Sequence, residues 1–235
     1  MTQISFVERK RVRHNGRKIE ELSGLSSDDQ GRLWVVSDRD SALYRLDDQF
    51  NTDRKLNTDL KDLEGIAVGP GVVAAVGEEG QLASYALDSG KPTGNCWNLR
   101  PWILGDPRKK GIEGLCWRDR SWVAVTERPR RLLAAHGHVE VLAELDANSG
   151  LGPKEDCSGI CWDQHREQFW LCSHEGGSVY LVDGGSLKVL ERLALRYTSD
   201  ERDKKVDQAE GITVVGDTLY IACDSSSRIY RYTIG

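Results

Sequence analysis

A short phrase returns five times along this chain: Leu22-Ser23-Gly24-Leu25, Leu63-Glu64-Gly65-Ile66, Ile112-Glu113-Gly114-Leu115, Cys157-Ser158-Gly159-Ile160 and Ala209-Glu210-Gly211-Ile212. Its glycines stand 41, 49, 45 and 52 residues apart. A supersecondary unit recurring at roughly 40–50 residues is the mark of a β-propeller, with one blade per repeat. The spacing therefore predicts an all-β chain: a five-bladed β-propeller with four-stranded blades, forming a single domain over residues 1–235. A sixth repeat is not found.

Within each repeat, short apolar runs are separated by turn residues such as Asp28-Asp29-Gln30-Gly31, Gly69-Pro70-Gly71 and Asp183-Gly184-Gly185. Named A to D in chain order, the strands are expected at 22–27, 32–37, 42–46 and 53–57 in the first blade. The second blade gives 64–69, 71–77, 81–87 and 95–99. The third gives 113–118, 121–126, 131–135 and 138–145. The fourth gives 158–163, 168–173, 178–182 and 187–196. The B runs, such as Leu33-Trp34-Val35-Val36, are almost wholly apolar, as suits strands covered on both faces.

The fifth repeat stops after three strands, at 210–215, 218–223 and 227–233. An unassigned strand lies at the other end of the chain, at 4–13. Its Phe6-Val7-Glu8-Arg9, followed by Val12-Arg13, is like the fourth blade's Val189-Leu190-Glu191-Arg192, followed by Leu195-Arg196. The N-terminal strand is therefore expected to supply the outer strand of the last blade and so close the ring.

The residue before each repeat glycine is Ser23, Glu64, Glu113, Ser158 or Glu210. Strand A is innermost, so a ring of blades would turn these five oxygen-bearing side chains toward the axis. Carboxylates confined together either keep protons or bind a cation. An all-oxygen set without His or thiolate favours Ca²⁺, which takes six to eight oxygens in loose geometry, over Mg²⁺ or softer metals. The bland alternative is that these side chains only cap strands.

The end of strand B returns to the same rim. There the pairs are Ser37-Asp38, Gly77-Glu78, Thr126-Glu127, Ser173-His174 and Cys223-Asp224. Asp38, Glu127 and His174 are candidate proton carriers, and His174 is the one imidazole among them. Glu78 and Asp224 are candidates for orienting a substrate. Turn capping is the competing role for all of these.

The stretches 101–111, 147–156 and 197–208 read as irregular loops that enter strand A on that rim, which marks it as the working face. Basic residues gather in its loops: Arg17, Lys18, Lys61, Arg108-Lys109-Lys110, Lys154, Arg202 and Lys204-Lys205, with Arg39 and Arg128 to Arg131 in the B–C loops. Arg39 and Arg128 are candidates for holding an anionic small molecule. Ordinary solvated charge, balanced by Asp62, Asp106, Glu155 and Asp203, is the alternative. His136 and His138 read as surface residues.

A net charge of −5 gives no bulk attraction to nucleic acid or an anionic membrane, and no run is apolar enough to span one. The opening residues lack the basic-then-apolar order of a signal peptide, so a cytoplasmic monomer is expected. The six cysteines are even in number, but Cys116, Cys157, Cys161 and Cys172 fall in repeat slots that suit buried free thiols rather than disulfides. Cys116 and Cys161, for example, occupy a slot that holds Ser26, Ala67 or Thr213 in other blades. No C-x-x-C pair points to zinc.

The phrases Ala209-Glu210-Gly211-Ile212 and Leu63-Glu64-Gly65-Ile66, each leading to a strand pair that ends in Asp or Glu, resemble the SdiA-regulated propellers. They also resemble the esterase-like propellers named for phytase association. The resemblance covers nearly the whole chain and implies a propeller with a bound calcium. The order Ser, Glu, Glu, Ser, Glu is similar to the axial calcium ring of the calcium-activated nucleotidases, or apyrases, as are Glu20-Glu21-Leu22-Ser23 and Glu113-Gly114-Leu115-Cys116-Trp117. That likeness implies Ser23, Glu64, Glu113, Ser158 and Glu210 as calcium ligands.

Three functions follow as expectations. The first is a calcium-binding propeller, with metal-assisted hydrolysis of a small phosphate or ester as its chemistry. The second is a non-enzymatic propeller with a structural axial ion and a protein or peptide on its loop rim. The third is a lactonase-like hydrolase, for which no His or Asn arrangement speaks. Propellers host many chemistries, so the fold does not choose among them.

Overall fold

Glycine lets five inner strands meet around one axis. In the computed structural model, which describes residues 1–103, 110–152 and 155–235, the A strands are Leu22–Ser27, Leu63–Gly69, Lys110–Arg118, Gly159–Asp163 and Ala209–Val215. A Cβ on Gly65 would stand 2.8 Å from the backbone of Gly114 and Leu115. One on Gly114 would stand 2.9 Å from Gly159, one on Gly159 would strike the Glu210 carbonyl, and one on Gly211 would lie 2.7 Å from the Leu25 nitrogen. Gly24 faces Ile66 and Glu64 in the same way, which completes the circle. None of the five has a positive φ. The repeat glycine is therefore there for close backbone approach and not for a left-handed conformation.

Each A strand begins an antiparallel four-stranded sheet. The B strands are Leu33–Ser37, Val72–Gly77, Ser121–Arg128, Gln168–Ser173 and Thr218–Cys223. The C strands are Asp40–Leu46, Gln81–Ala86, Arg131–His136, Ser178–Asp183 and Arg228–Ile234. The outer strands of blades 1 to 4 are Thr52–Asn57, Pro92–Asn98, His138–Glu144 and Val189–Ala194. The outer strand of blade 5 is the N-terminal Ile4–Arg11, paired antiparallel with the last strand from Ile4↔Ile234 to Arg11↔Arg228. The five-bladed ring and its closure are as the repeats predict.

The likeness between the two outer strands extends past them. Val12 donates to the Ser227 carbonyl at 3.0 Å, and Leu195 donates to the Gly177 carbonyl at the same distance. Each strand then runs into a small hairpin, Arg13–His14 with Arg17–Lys18 and Arg196–Ser199 with Arg202–Lys205. Two features thus differ from expectation. The N-terminal strand ends at Arg11 instead of residue 13, and much of the 197–208 stretch is ribbon rather than loop.

Five apolar cores fill the five interfaces between blades. Trp34, Val36 and Leu43 meet Ile66, Val73 and Ala75 between blades 1 and 2, and Trp170, Cys172 and Leu181 meet Ile212, Leu219 and Ile221 between blades 4 and 5. Every B strand is covered on both sides, which explains its continuous apolar run. The cysteines are free, with Cys96 exposed and the other five buried. Burial pushes the Cys116 and Cys157 thiols well up, so they act as small apolar residues. No helix of the described residues is long and apolar enough to cross a membrane.

Candidate functional site

In four of the five blades the residue before the repeat glycine sits on a β-bulge. Pairing between strands A and B slips between Leu22 and Gly24, Leu63 and Gly65, Ile112 and Gly114, and Ala209 and Gly211. The skipped residues are Ser23, Glu64, Glu113 and Glu210. A bulge re-aims the side chain it frees from the ladder. In blade 4 regular pairing starts at Gly159, and the Ser158 nitrogen donates to the Cys172 carbonyl at 2.9 Å.

Glutamates and serines use this position differently. Glu64 and Glu210 line the axial channel together with the glycine ring, and that channel is too tight for a water molecule. Both serines are buried and bond to the next blade. The Ser23 hydroxyl donates to the Leu63 carbonyl, and the Ser158 hydroxyl donates to the Ala209 carbonyl at 2.6 Å. Each serine therefore clasps the residue just ahead of a glutamate, with its oxygen lone pairs left for another partner.

The carboxylates feel one another. Burial pushes Glu64 up to about 9, with Glu113, Asp38, Glu78 and Asp62 adding repulsion. Burial also pushes Glu210 up to about 9, with Glu113, Glu64, Asp156 and Asp224 adding to it. At neutral pH, with nothing bound, both hold protons.

The second ring lies on the same rim. The Asp38, Glu78 and Asp224 nitrogens donate to the carbonyls of Glu21, Asp62 and Gln208 at 3.2, 2.8 and 3.1 Å. Those three acceptors share one position, two residues ahead of the axial residue, and one left-handed backbone, with φ of 52°, 48° and 50°. The small residue ahead of each rim group also has a reason. The Ser37 hydroxyl donates to the Glu20 carbonyl at 2.8 Å, the Cys223 thiol donates to the Asp207 carbonyl, and a Cβ on Gly77 would collide with the Lys61 carbonyl. The incoming segment presses on that slot.

Burial and the adjoining Glu21 push Asp38 up to about 7, with Asp224 contributing. Its Oδ1 is buried without a hydrogen-bond partner. Asp224 is raised by burial and by Glu21, and His174 offsets part of that. The His174 Nδ1 lies 3.5 Å from Glu210 Oε1, which joins the outer ring to the inner one. Glu127 is buried within an extended strand B, 3.6 Å from Arg128.

Sequence reasoning missed three acids here. Glu21, Asp62 and Asp156 all occupy the position two residues before the axial one. Asp156 is buried and accepts from the Ser173 hydroxyl and the Glu175 nitrogen. The signal was available, since three of the five repeats carry an acid at that position.

The rim arginines are engaged. Arg39 pairs with Glu20 and Glu21, and Arg128 lies 3.6 Å from both Glu127 and Glu175. Lys18 pairs with Glu20 at 2.8 Å, and Arg130 donates to the Gly152 and Glu155 carbonyls. Arg108, Lys109, Lys154 and the Lys110 side chain lie outside the described residues. The mouth of the channel is acidic, and much of the basic charge around it is spent on neighbouring carboxylates and carbonyls. Among the described residues, no three of His, Cys, Asp and Glu are drawn together tightly enough to form a metal shell as they stand.

The sequence matches the SdiA-regulated family over residues 6–232. The chain belongs to the SdiA-regulated family. No curated protein matches this SdiA-regulated propeller in sequence. Several solved structures share its fold. Glutaminyl cyclase of Myxococcus xanthus aligns at 11% identity and a TM-score of 0.71, over 98% of this chain and 96% of that one. The PQQ-bound aldose sugar dehydrogenase of Streptomyces coelicolor aligns at 13% identity and 0.57, over 100% and 99%. Virginiamycin B lyase of Staphylococcus aureus aligns at 9% identity and 0.55, over 99% of each chain. Such identities speak for the SdiA-regulated propeller's fold alone.

Proposed function

We propose that this SdiA-regulated propeller binds a hard divalent cation, calcium, at the mouth of its axial channel. The observation that carries the reading is the pair Glu64 and Glu210. They line one narrow channel and are pushed up to about 9, first by burial and then by neighbouring carboxylates, Glu113 foremost. A group that pays so much to ionise is poised for a positive partner. The donor set fits calcium in kind: carboxylates of Glu64, Glu113 and Glu210, hydroxyl lone pairs of Ser23 and Ser158, and the orphaned Oδ1 of Asp38 nearby. The carboxylates do not close into a shell as they stand, so water would supply part of the coordination. Calcium bound there would neutralise the carboxylates and polarise an oxygen of a ligand.

The experiment is calorimetric titration of the chelated protein with CaCl₂, with MgCl₂ as the control. Saturable calcium binding that is lost in Glu113→Gln and Glu210→Gln, with both variants folded, bears the reading out. No heat from calcium in the wild type overturns it.

A second reading is hydrolysis of a small phosphate or ester at the same mouth. It rests on His174, an imidazole 3.5 Å from Glu210 and open to the rim. That imidazole could move a proton to or from a molecule seated there. Asp38 and Glu127 are the other proton carriers, and Glu78 and Asp224 would orient the molecule. Arg39 and Arg128 would have to leave their present carboxylate partners to hold an anion. Turnover of generic phosphate or ester substrates that falls in His174→Asn separates this reading from a purely structural ion with a protein or peptide on the rim.

A further inference from the structure

The face opposite the axial mouth carries a cavity of about 710 Å³ between blades 2 and 3. It opens among the A–B turns and the C–D turn of those blades. Trp97, Trp117 and Trp122 line it, together with Arg120, His136 and Asn95. No carboxylate lines it, and Arg120 is its one permanent charge. In a chain of net charge −5 this is a locally positive, aromatic recess.

The neighbouring interface shows why the space exists. Trp117 and Trp162 hold the same place, three residues after the repeat glycine of their blades. Gly69 and Arg118 also correspond, four residues after theirs, and each covers the tryptophan of the next blade. Between blades 3 and 4 the Arg118 guanidinium lies flat over Trp162, 4.4 Å from the ring centre, and over Phe169 at 5.1 Å. Between blades 2 and 3 that side chain is missing, because a Cβ on Gly69 would already stand 2.9 Å from the Trp117 ring. Trp117 meets Trp122 edge-on at 4.5 Å, and the rest of the space stays open.

We propose that this recess binds a flat aromatic ring bearing an anionic group, with the ring against the indoles and the acid on Arg120. Aromatic walls with a few convergent polar groups are the ordinary make-up of a small-molecule site. Arg120 has no carboxylate partner among the described residues, so its guanidinium is available for a bidentate contact. The His136 Nδ1 lies 2.7 Å from the Arg120 carbonyl, which can only accept, so Nδ1 carries a proton and Nε2 is left for the ligand.

Cys96 lines the recess and is the exposed cysteine, the other five being buried, so its thiol reports occupancy. The probes are 8-anilinonaphthalene-1-sulfonate and its uncharged counterpart, N-phenyl-1-naphthylamine. The sulfonate should bind at one site and slow the reaction of Cys96 with a chromogenic disulfide. Arg120→Gln should weaken the sulfonate about tenfold and leave the neutral probe unchanged, the loss expected for one charge-assisted contact. Trp97→Ala should weaken both probes. Absence of sulfonate binding, an unprotected Cys96, or equal sulfonate affinity in wild type and Arg120→Gln would each overturn the proposal.

Discussion

The Ser158 hydroxyl donates to the Ala209 carbonyl at 2.6 Å, and so blade 4 holds the backbone of blade 5 one residue ahead of Glu210. Ser23 does the same for Leu63 ahead of Glu64. Both serines are buried, so Ser158→Ala leaves a buried carbonyl without this donor, at a cost of about 1–3 kcal/mol. For a chain of this size that lowers the melting temperature by roughly 2–4 °C per kcal/mol. Differential scanning calorimetry checks it. A melting point equal to wild type would mean that the clasp contributes nothing.

The glycine ring gives a sharper contrast. Gly159→Ala puts a methyl into the Glu210 carbonyl of the next blade, where neither backbone can retreat without opening the ring. A loss above about 4 kcal/mol, or failure to fold, is expected. Gly185→Ala, exposed and with nothing nearer than 3.6 Å, should change stability by less than about 0.5 kcal/mol. Urea denaturation of the two variants decides whether close approach is the reason for the repeat glycine.

The repeat made the architecture legible, because each blade buries its faces against its neighbours and so keeps the same small and apolar slots. Even the closure by Ile4–Arg11 showed through, in its likeness to the fourth blade's outer strand. The small residues ahead of Asp38, Glu78 and Asp224 were visible as a pattern. Their cause, a carbonyl of the incoming segment, is a contact between distant residues and has no local signature. The bulges were hidden for a related reason. A strand read as Leu22–Ser27 does not say where its pairing slips. The division of labour at the axis, Ser23 and Ser158 to carbonyls and Glu64 and Glu210 to the channel, depends on which blade follows which.

The N-terminal strand can be tested as a structural part. Arg9 lies over Tyr197 at 4.5 Å and over Tyr230 at 5.9 Å, and Phe6 packs on Tyr197, Tyr230 and Tyr232. Removing residues 1–11 strips these contacts and exposes the hydrogen-bonding edge of Arg228–Ile234. Such an edge recruits other chains. The truncated protein should sediment as aggregates or lose cooperative unfolding, and a synthetic peptide of residues 1–11 should partly restore it. A monomeric truncation with wild-type melting would show that the ring closes without this strand.

The axial glutamates set a pH dependence with a definite sign. In the ion-free protein Glu64 and Glu210 have folded values of about 9, far above those of an exposed glutamate. The folded state therefore holds more protons than the unfolded chain between the ordinary glutamate range and about 9. Stability from this source is fully present at low pH and is lost as pH rises through that window. With chelator present, the melting temperature should fall between pH 6 and 9 (about the upper part of that window), and Glu64→Gln should flatten the fall. Calcium bound at the mouth would favour the ionised carboxylates, so its stabilising effect should grow over the same range as protons are displaced. Scanning calorimetry at several pH values, with chelator or calcium, reads both slopes. Equal slopes in the two conditions, with Glu64→Gln indistinguishable from wild type, would remove the axial carboxylates from any account of this protein's function.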